Sequence, residues 1–176
     1  RGFKIRNGED DKIFQGDAVM LETTGSVTKG IADAEVNIVG VLSGVEYTNS
    51  DGERVWANAY TSTISRDDTI AYVYTDPFQL YIIKVGDGSG GDDVITGADL
   101  GASLDFDVTN AGNDTTGMSG ILLEDGTEAV TARARVVGLT NNNGTNALVE
   151  AVASTYTHAI VQLDPATMQL LNAGLA

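Results

Sequence analysis

The chain has 176 residues, 42% of them hydrophobic and 20% charged, with 21 glycines against two prolines and a formal net charge of −15. That size holds one domain with a core of its own, or two small ones. Twenty-five acidic residues against ten basic ones disfavour nucleic acid and anionic membranes as partners. With no cysteine there is no disulfide, thiolate zinc site or cysteine nucleophile.

The first six residues, RGFKIR, are basic and read as an extended arm. Short apolar or alternating runs then recur between turn signals, and each predicts a strand: DAVMLET (17–23), EVNIVGVL (35–42), ERVWANAY (53–60), TIAYVYT (69–75) and FQLYIIKV (78–85). NSDG (49–52) predicts a hairpin turn, because Asp-Gly accepts positive φ at little cost. The second half repeats the style with SLDFDV (103–108), GILLE (120–124), RARVVGL (133–139), ALVEAV (147–152) and THAIVQL (157–163), and NNNG (141–144) is a second turn. Only PATMQLLNAG (165–174) carries helical signals, with Asp164 as N-cap, Pro165 in the first turn and Gly174 at the end. No apolar run approaches the roughly 20 residues that cross a bilayer, and no stretch reads as a signal peptide. The predicted fold is mainly β: small antiparallel barrel or tulip-like lobes with one short C-terminal helix.

The halves echo each other. NIVGVL (37–42) matches ARVVGL (134–139), YTST (60–63) loosely matches VAST (152–155), and AYVYTDP (71–77) matches AIVQLDP (159–165). A duplication predicts a β lobe over 1–85, a Gly/Asp-rich linker over 86–97 and a second lobe over 98–176.

The linker, GDGSGGDDVITG, resembles a single calcium-binding nonapeptide, with Asp87, Asp92 and Asp93 as its ligand candidates. Such repeats share each ion between successive turns of a β-roll, so one copy leaves the coordination shell open. A flexible acidic connection is the stronger reading. Catalytic signals are weaker still. His158 lies in a predicted strand, GMSG (117–120) lacks nucleophile-elbow spacing, and the acid pairs at Glu9–Asp11, Asp67–Asp68 and Glu124–Asp125 sit beside turn residues. Neither an enzyme nor a cofactor is expected. Trp56, Tyr60, Tyr72, Tyr74 and Tyr81 supply a barrel core or, where exposed, an interface.

Ile13, Gly16, Asp17, Gly40, Val41, Gly44, Tyr47, Asp76 and Pro77 together carry a likeness. Their order, with NAGNDTTGMSGILLE (110–124) and THAIVQLD (157–164) in the second half, resembles a family of tailed-bacteriophage virion proteins from marine phages. The opening pattern is also similar to the small β-tulip decoration proteins of lambda type. The resemblance implies a cement protein that forms a homo-oligomer, a trimer by that likeness, and staples the major capsid protein on the outside of the phage head. Arg1, Phe3, Lys4, Ile5 and Arg6 are then the expected capsid-contact arm, adding to a neighbouring strand. A β-rich head-fibre, adhesin or carbohydrate-binding module is the alternative, and a portal-tail subunit a further one.

Overall fold

The computed structural model describes residues 1–9, 11–30, 38–64, 67–87, 89, 91, 93–124, 133–140, 146–147 and 155–164. The expected C-terminal helix, the NNNG turn, Asp92 and Asp125 lie outside the described residues. The first half contains β1 (Gly2–Lys4), β2 (Ile13–Phe14), β3 (Ala18–Leu21), β4 (Val27–Lys29), β5 (Ile38–Thr48), β6 (Arg54–Ala57), β7 (Ala59–Tyr60) and β8 (Ile70–Tyr74). The second contains β9 (Leu80–Gly86), β10 (Ile95–Thr96), β11 (Ser103–Leu104), β12 (Phe106–Asp107), β13 (Leu122–Glu124), β14 (Ala134–Thr140), β15 (Asn146–Ala147), β16 (Thr155–Tyr156) and β17 (His158–Leu163). The protein is mainly β, as expected.

One sheet runs β1-β8-β5-β3-β4, with β6 added to β5. A parallel bridge between Ile5 and Val27 brings β4 back to β1 and nearly closes the sheet into a barrel. The Arg6 N–H donates to the Val27 carbonyl at 2.9 Å across that seam. The other sheet runs β11-β14-β17-β9-β13-β12, with β15 added to β14. Since β11 and β12 follow one another in the chain, this sheet also curls into a nearly closed barrel.

The two barrels share one strand order, and their pairings recur. β1 on β8 becomes β9 on β17, β5 on β8 becomes β14 on β17, β3 on β4 becomes β12 on β13, and β2 on β7 becomes β10 on β16. The Ile5–Val27 seam becomes Val85–Leu123, again parallel. Even the irregularity is repeated: the β5–β8 register shifts between Leu42 and Gly44, and the β14–β17 register between Val136 and Gly138. The β-bulge thus stands at the same place in both barrels, which repeat one structural unit.

This register corrects the alignment read from the sequence. Leu42 corresponds to Val136 and Gly44 to Gly138, so the NIVGVL and ARVVGL motifs are offset along the shared strand. Tyr60 corresponds to Tyr156, not to Val152. Ala71 and Ala159 do occupy matching places, so the AYVYTDP and AIVQLDP match stands.

The expected boundaries also move. FQLYIIKV (78–85), assigned by its sequence to the first lobe, forms β9 and is a stave of the second barrel, flanked by β17 and β13. The junction between barrels is the short turn after Tyr74. The 86–97 stretch connects β9 to β10 inside the second barrel, as residues 5–12 connect β1 to β2 in the first. Glycine and aspartate suit a surface loop of either kind, so composition does not separate a linker from a loop.

Matched core positions are filled by similar residues: Ile13 and Ile95, Val19 and Leu104, Val27 and Leu123, Val73 and Val161 are all buried. Each such side chain removed from water contributes roughly 1.5–3 kcal/mol. The halves differ chiefly in the connection before the closing strand. In the first barrel it is a tight hairpin, where the Glu22 N–H donates to the Ser26 carbonyl at 2.8 Å. In the second it is the longer stretch 108–121, which reaches back to the first barrel. The Gln15 N–H donates to the Gly117 carbonyl and the Ser119 N–H to the Gln15 carbonyl, both at 2.9 Å. The Ser119 hydroxyl donates to the buried Asp17 carboxylate. Ala18 and Ile38 of the first half, with Val41 beside them, pack into the second barrel's core.

Candidate functional site

Strand β9 alternates so that Tyr81, Ile83 and Val85 turn inward while Leu80 and Ile82 face solvent, 50% and 67% exposed. Opposite Ile82 on β17 stands the half-buried Ile160. On β14 the bulge residue Val137 is also exposed. Just upstream, Tyr74 and Phe78 are exposed, Phe78 at 77%. Asp76 and Pro77 explain that placement. The Asp76 side chain accepts the Phe78 N–H at 2.9 Å, its carbonyl accepts the Gln79 N–H at 3.1 Å, and Gln162 Nε2 donates to the Pro77 carbonyl at 2.7 Å. The Asp-Pro turn is thereby pinned to β17 and holds Phe78 away from the core.

The result is an apolar outer face on the β9–β17–β14 part of the second barrel, continued by Phe78 and Tyr74. Scattered exposed apolar residues are ordinary; several on adjacent strands mark a contact surface. Among residues 80–176 the sequence has only three cations, Lys84, Arg133 and Arg135. Lys84 and Arg135 alternate in register with the outward residues of this face. Arg135 lies 3.5 Å from Asp164.

The residues singled out from sequence fall elsewhere. The basic arm is not free: Gly2–Lys4 pairs with β8, Phe3 and Ile5 pack against the first core, and the Arg1 ammonium donates to the Val73 carbonyl at 2.7 Å. Lys4 donates to the Asp67 carbonyl, and Arg6 lies 3.3 Å from Glu22 and 3.5 Å from Glu9. The alternation of Phe3 and Ile5 with cations, which reads as an arm, is that of a barrel stave with one buried face. The segment is thus an ordered strand with one edge on β8 rather than a free extension.

Asp87 organises its own loop. Its Oδ1 accepts the Ser89 N–H at 2.9 Å, the Ser89 hydroxyl at 2.7 Å and the Gly91 N–H at 3.0 Å. These bonds, the Ser89 hydroxyl first, hold the carboxyl below its usual range. Asp93 Oδ1 accepts the Val94 N–H at 2.8 Å. Among the described residues no three His, Asp or Glu side chains gather as a metal site.

The acid pairs are structural as well. Glu9 is buried and accepts the Thr28 hydroxyl and, at 3.2 Å, the Asp11 N–H. Asp68 accepts the Thr48 hydroxyl and pairs with Arg54 at 2.9 Å; the hydroxyl contributes most to lowering its pKa. His158 shares a hydrogen bond with the Thr157 hydroxyl at 2.9 Å. The aromatics divide. Tyr60 is core, but Trp56 is 52% exposed, its ring 5.4 Å from that of Tyr72 and seated over Gly44.

Sequence reasoning misses the role of Phe78, Leu80 and Ile82. In LYIIKV only Lys84 marks the face it shares with Leu80 and Ile82 as the wet one; the other letters of both alternating sets are aliphatic or aromatic. Among the described residues no helix is long and apolar enough to cross a membrane. Comparison with known protein families, with curated proteins and with solved structures finds no match for the chain.

Proposed function

We propose that this chain is a virion structural protein, a decoration or cement protein that binds the major capsid protein on the outside of a phage head. The observation that supports the reading is the apolar face of Tyr74, Phe78, Leu80 and Ile82, held by rigid strands and a pinned turn. The motif likeness to phage head proteins supplies the kind of partner. Attachment moves from the amino-terminal arm to this face.

A protein that binds only the assembled lattice stabilises it over free subunits by linkage. Each barrel pair makes a modest contact. An oligomer, a trimer in this reading, engages several capsid subunits at once, so weak contacts add as avidity. No reactive group is needed for such work. The test is binding to purified heads: Leu80→Asp with Ile82→Asp should leave the fold intact and lower head occupancy at least tenfold. Unchanged occupancy contradicts the assignment of the face.

One observation favours a second reading, a head-fibre or carbohydrate-binding module. Trp56, Tyr72 and Tyr74 share the outer side of the first barrel, beside the Arg54–Glu46 pair at 3.1 Å. Exposed rings next to charged hydrogen-bonding groups suit sugar stacking. Quenching of Trp56 fluorescence by soluble oligosaccharides would support that reading; a silent panel removes it.

A further inference from the structure

The second barrel has a gap in its wall. β17 covers one side of β9 along Leu80–Lys84, but β13 joins the other side only at Val85 and Gly86. Ahead of β13 the chain diverges, and a slot of about 470 Å³ opens between β9 and the 118–122 segment. Its depth is lined by core residues including Phe106, Val161 and Leu163.

The hydrogen-bond phase of β9 determines what the slot presents. The Val85 N–H donates to the Thr157 carbonyl at 3.0 Å, so 85 and 157 form a hydrogen-bonded antiparallel pair. By alternation the pairs of Ile83 with Ala159 and Tyr81 with Val161 are of the same kind. The N–H and carbonyl of Ile82 therefore point away from β17, into the slot. The Tyr81 hydroxyl, buried and without a hydrogen-bond partner among the described residues, belongs to a residue lining the same space. In the first barrel the matching connection is the tight 22–26 hairpin.

An occupant must offer backbone hydrogen bonds to a strand edge and an apolar group to a cavity. An extended polypeptide supplies both. Among the described residues the lining of the slot is mainly apolar, with Ile83, Phe106, Ile121 and Leu122 beside Ile82.

We propose that this slot receives an extended segment of a partner protein, which pairs along Ile82 as an added stave and lowers one bulky apolar side chain into the barrel. The proposal rests on the attachment reading for its partner, the shell protein, but not for its geometry.

The test is a display library of random twelve-residue peptides panned against the whole protein. The expected winners share a bulky apolar residue flanked by residues that favour an extended chain. Ile82→Pro removes the amide facing the slot while leaving the β9–β17 bonds in place, and should weaken the winners at least tenfold. Gly2→Pro, the same change at the matching position of the first barrel, should not. Bound peptide should also slow exchange of the Ile82 amide in the unmutated protein, a readout independent of how the variant folds. No enriched peptide, equal binding to Ile82→Pro, or an Ile82 amide that exchanges as before would overturn the slot. Heads that still bind the protein in that case separate failure of the slot from failure of the attachment reading.

Discussion

Tyr60 and Tyr156 are the same residue twice. Tyr60 pairs with Ile13 between β7 and β2, Tyr156 pairs with Ile95 between β16 and β10, and both rings are buried, at 1% and 6% exposure. They belong to different clusters, Tyr60 to the first core and Tyr156 to the second.

Truncating either ring should cost about 3–5 kcal/mol, the usual cost of deleting a buried aromatic. The losses should differ in place. Amide exchange in Tyr60→Ala should rise first in β2, β5 and β7, and in Tyr156→Ala first in β10, β14 and β17. Uniform loss of protection in both variants contradicts two separate cores.

Gly44 and Gly138 share the bulge but not its surroundings. A Cβ at Gly44, where φ is +153°, would lie 2.3 Å from Trp56 Cζ2, whereas one at Gly138 would meet Ile160 Cδ1 at 3.2 Å. Gly44→Ala should therefore cost about 1–3 kcal/mol and change Trp56 fluorescence. Gly138→Ala should cost less and leave the fluorescence unaltered. Chemical denaturation and emission spectra check both.

Most of the β content is legible in the sequence because strands here alternate and turns carry Asn, Asp and Gly. The structural repeat is legible in AYVYTDP and AIVQLDP, where Ala71 and Ala159 take matching places on β8 and β17. Elsewhere the letters misalign, since Leu42 and Val136 match by bulge position and pairing, neither of which a run of aliphatic residues reveals. Ile5 reads as part of an arm until Val27 is seen beside it. That contact joins residues far apart in sequence. The exposed face is marked by one letter only: Lys84 shares it with Leu80 and Ile82, whereas Ile82 and Ile83 are identical letters of which packing leaves the first wet and takes the second into the core.

The Tyr81 hydroxyl is pushed up to about 12, by burial first and by the Asp76 charge next. A raised folded pKa means that the native state holds its proton where the unfolded chain has lost it. Stability from this group is thus complete below pH 10 and falls away between about 10 and 12. Tyr81→Phe removes an unpaired buried hydroxyl, so it should be neutral or slightly stabilising at pH 7 and should flatten that alkaline decline. Thermal unfolding from pH 8 to 11.5 measures it. A marked loss of stability at neutral pH contradicts an unpartnered hydroxyl.

Asp17 and Asp99 tie down their local backbone alike. Asp17 Oδ2 accepts the Phe14 N–H, and Asp99 Oδ2 the Thr96 N–H, each at 2.9 Å. Only Asp17 also holds Ser119 across the barrels. Asp17→Ala should cost about 2–3 kcal/mol and loosen the 108–121 stretch, read by proteolysis there. Asp99→Ala should cost about 1 kcal/mol and leave that stretch protected.

The proposal that the two fused barrels adhere to an ordered protein shell through one apolar face can be checked by imaging. A cryo-EM reconstruction of the purified particle tests it most directly. The expected result is density for both barrels on the head exterior, with Phe78, Leu80 and Ile82 turned toward the capsid and copies numbering in the hundreds. Particles that lack the chain, or bear it with that face open to solvent, would contradict it.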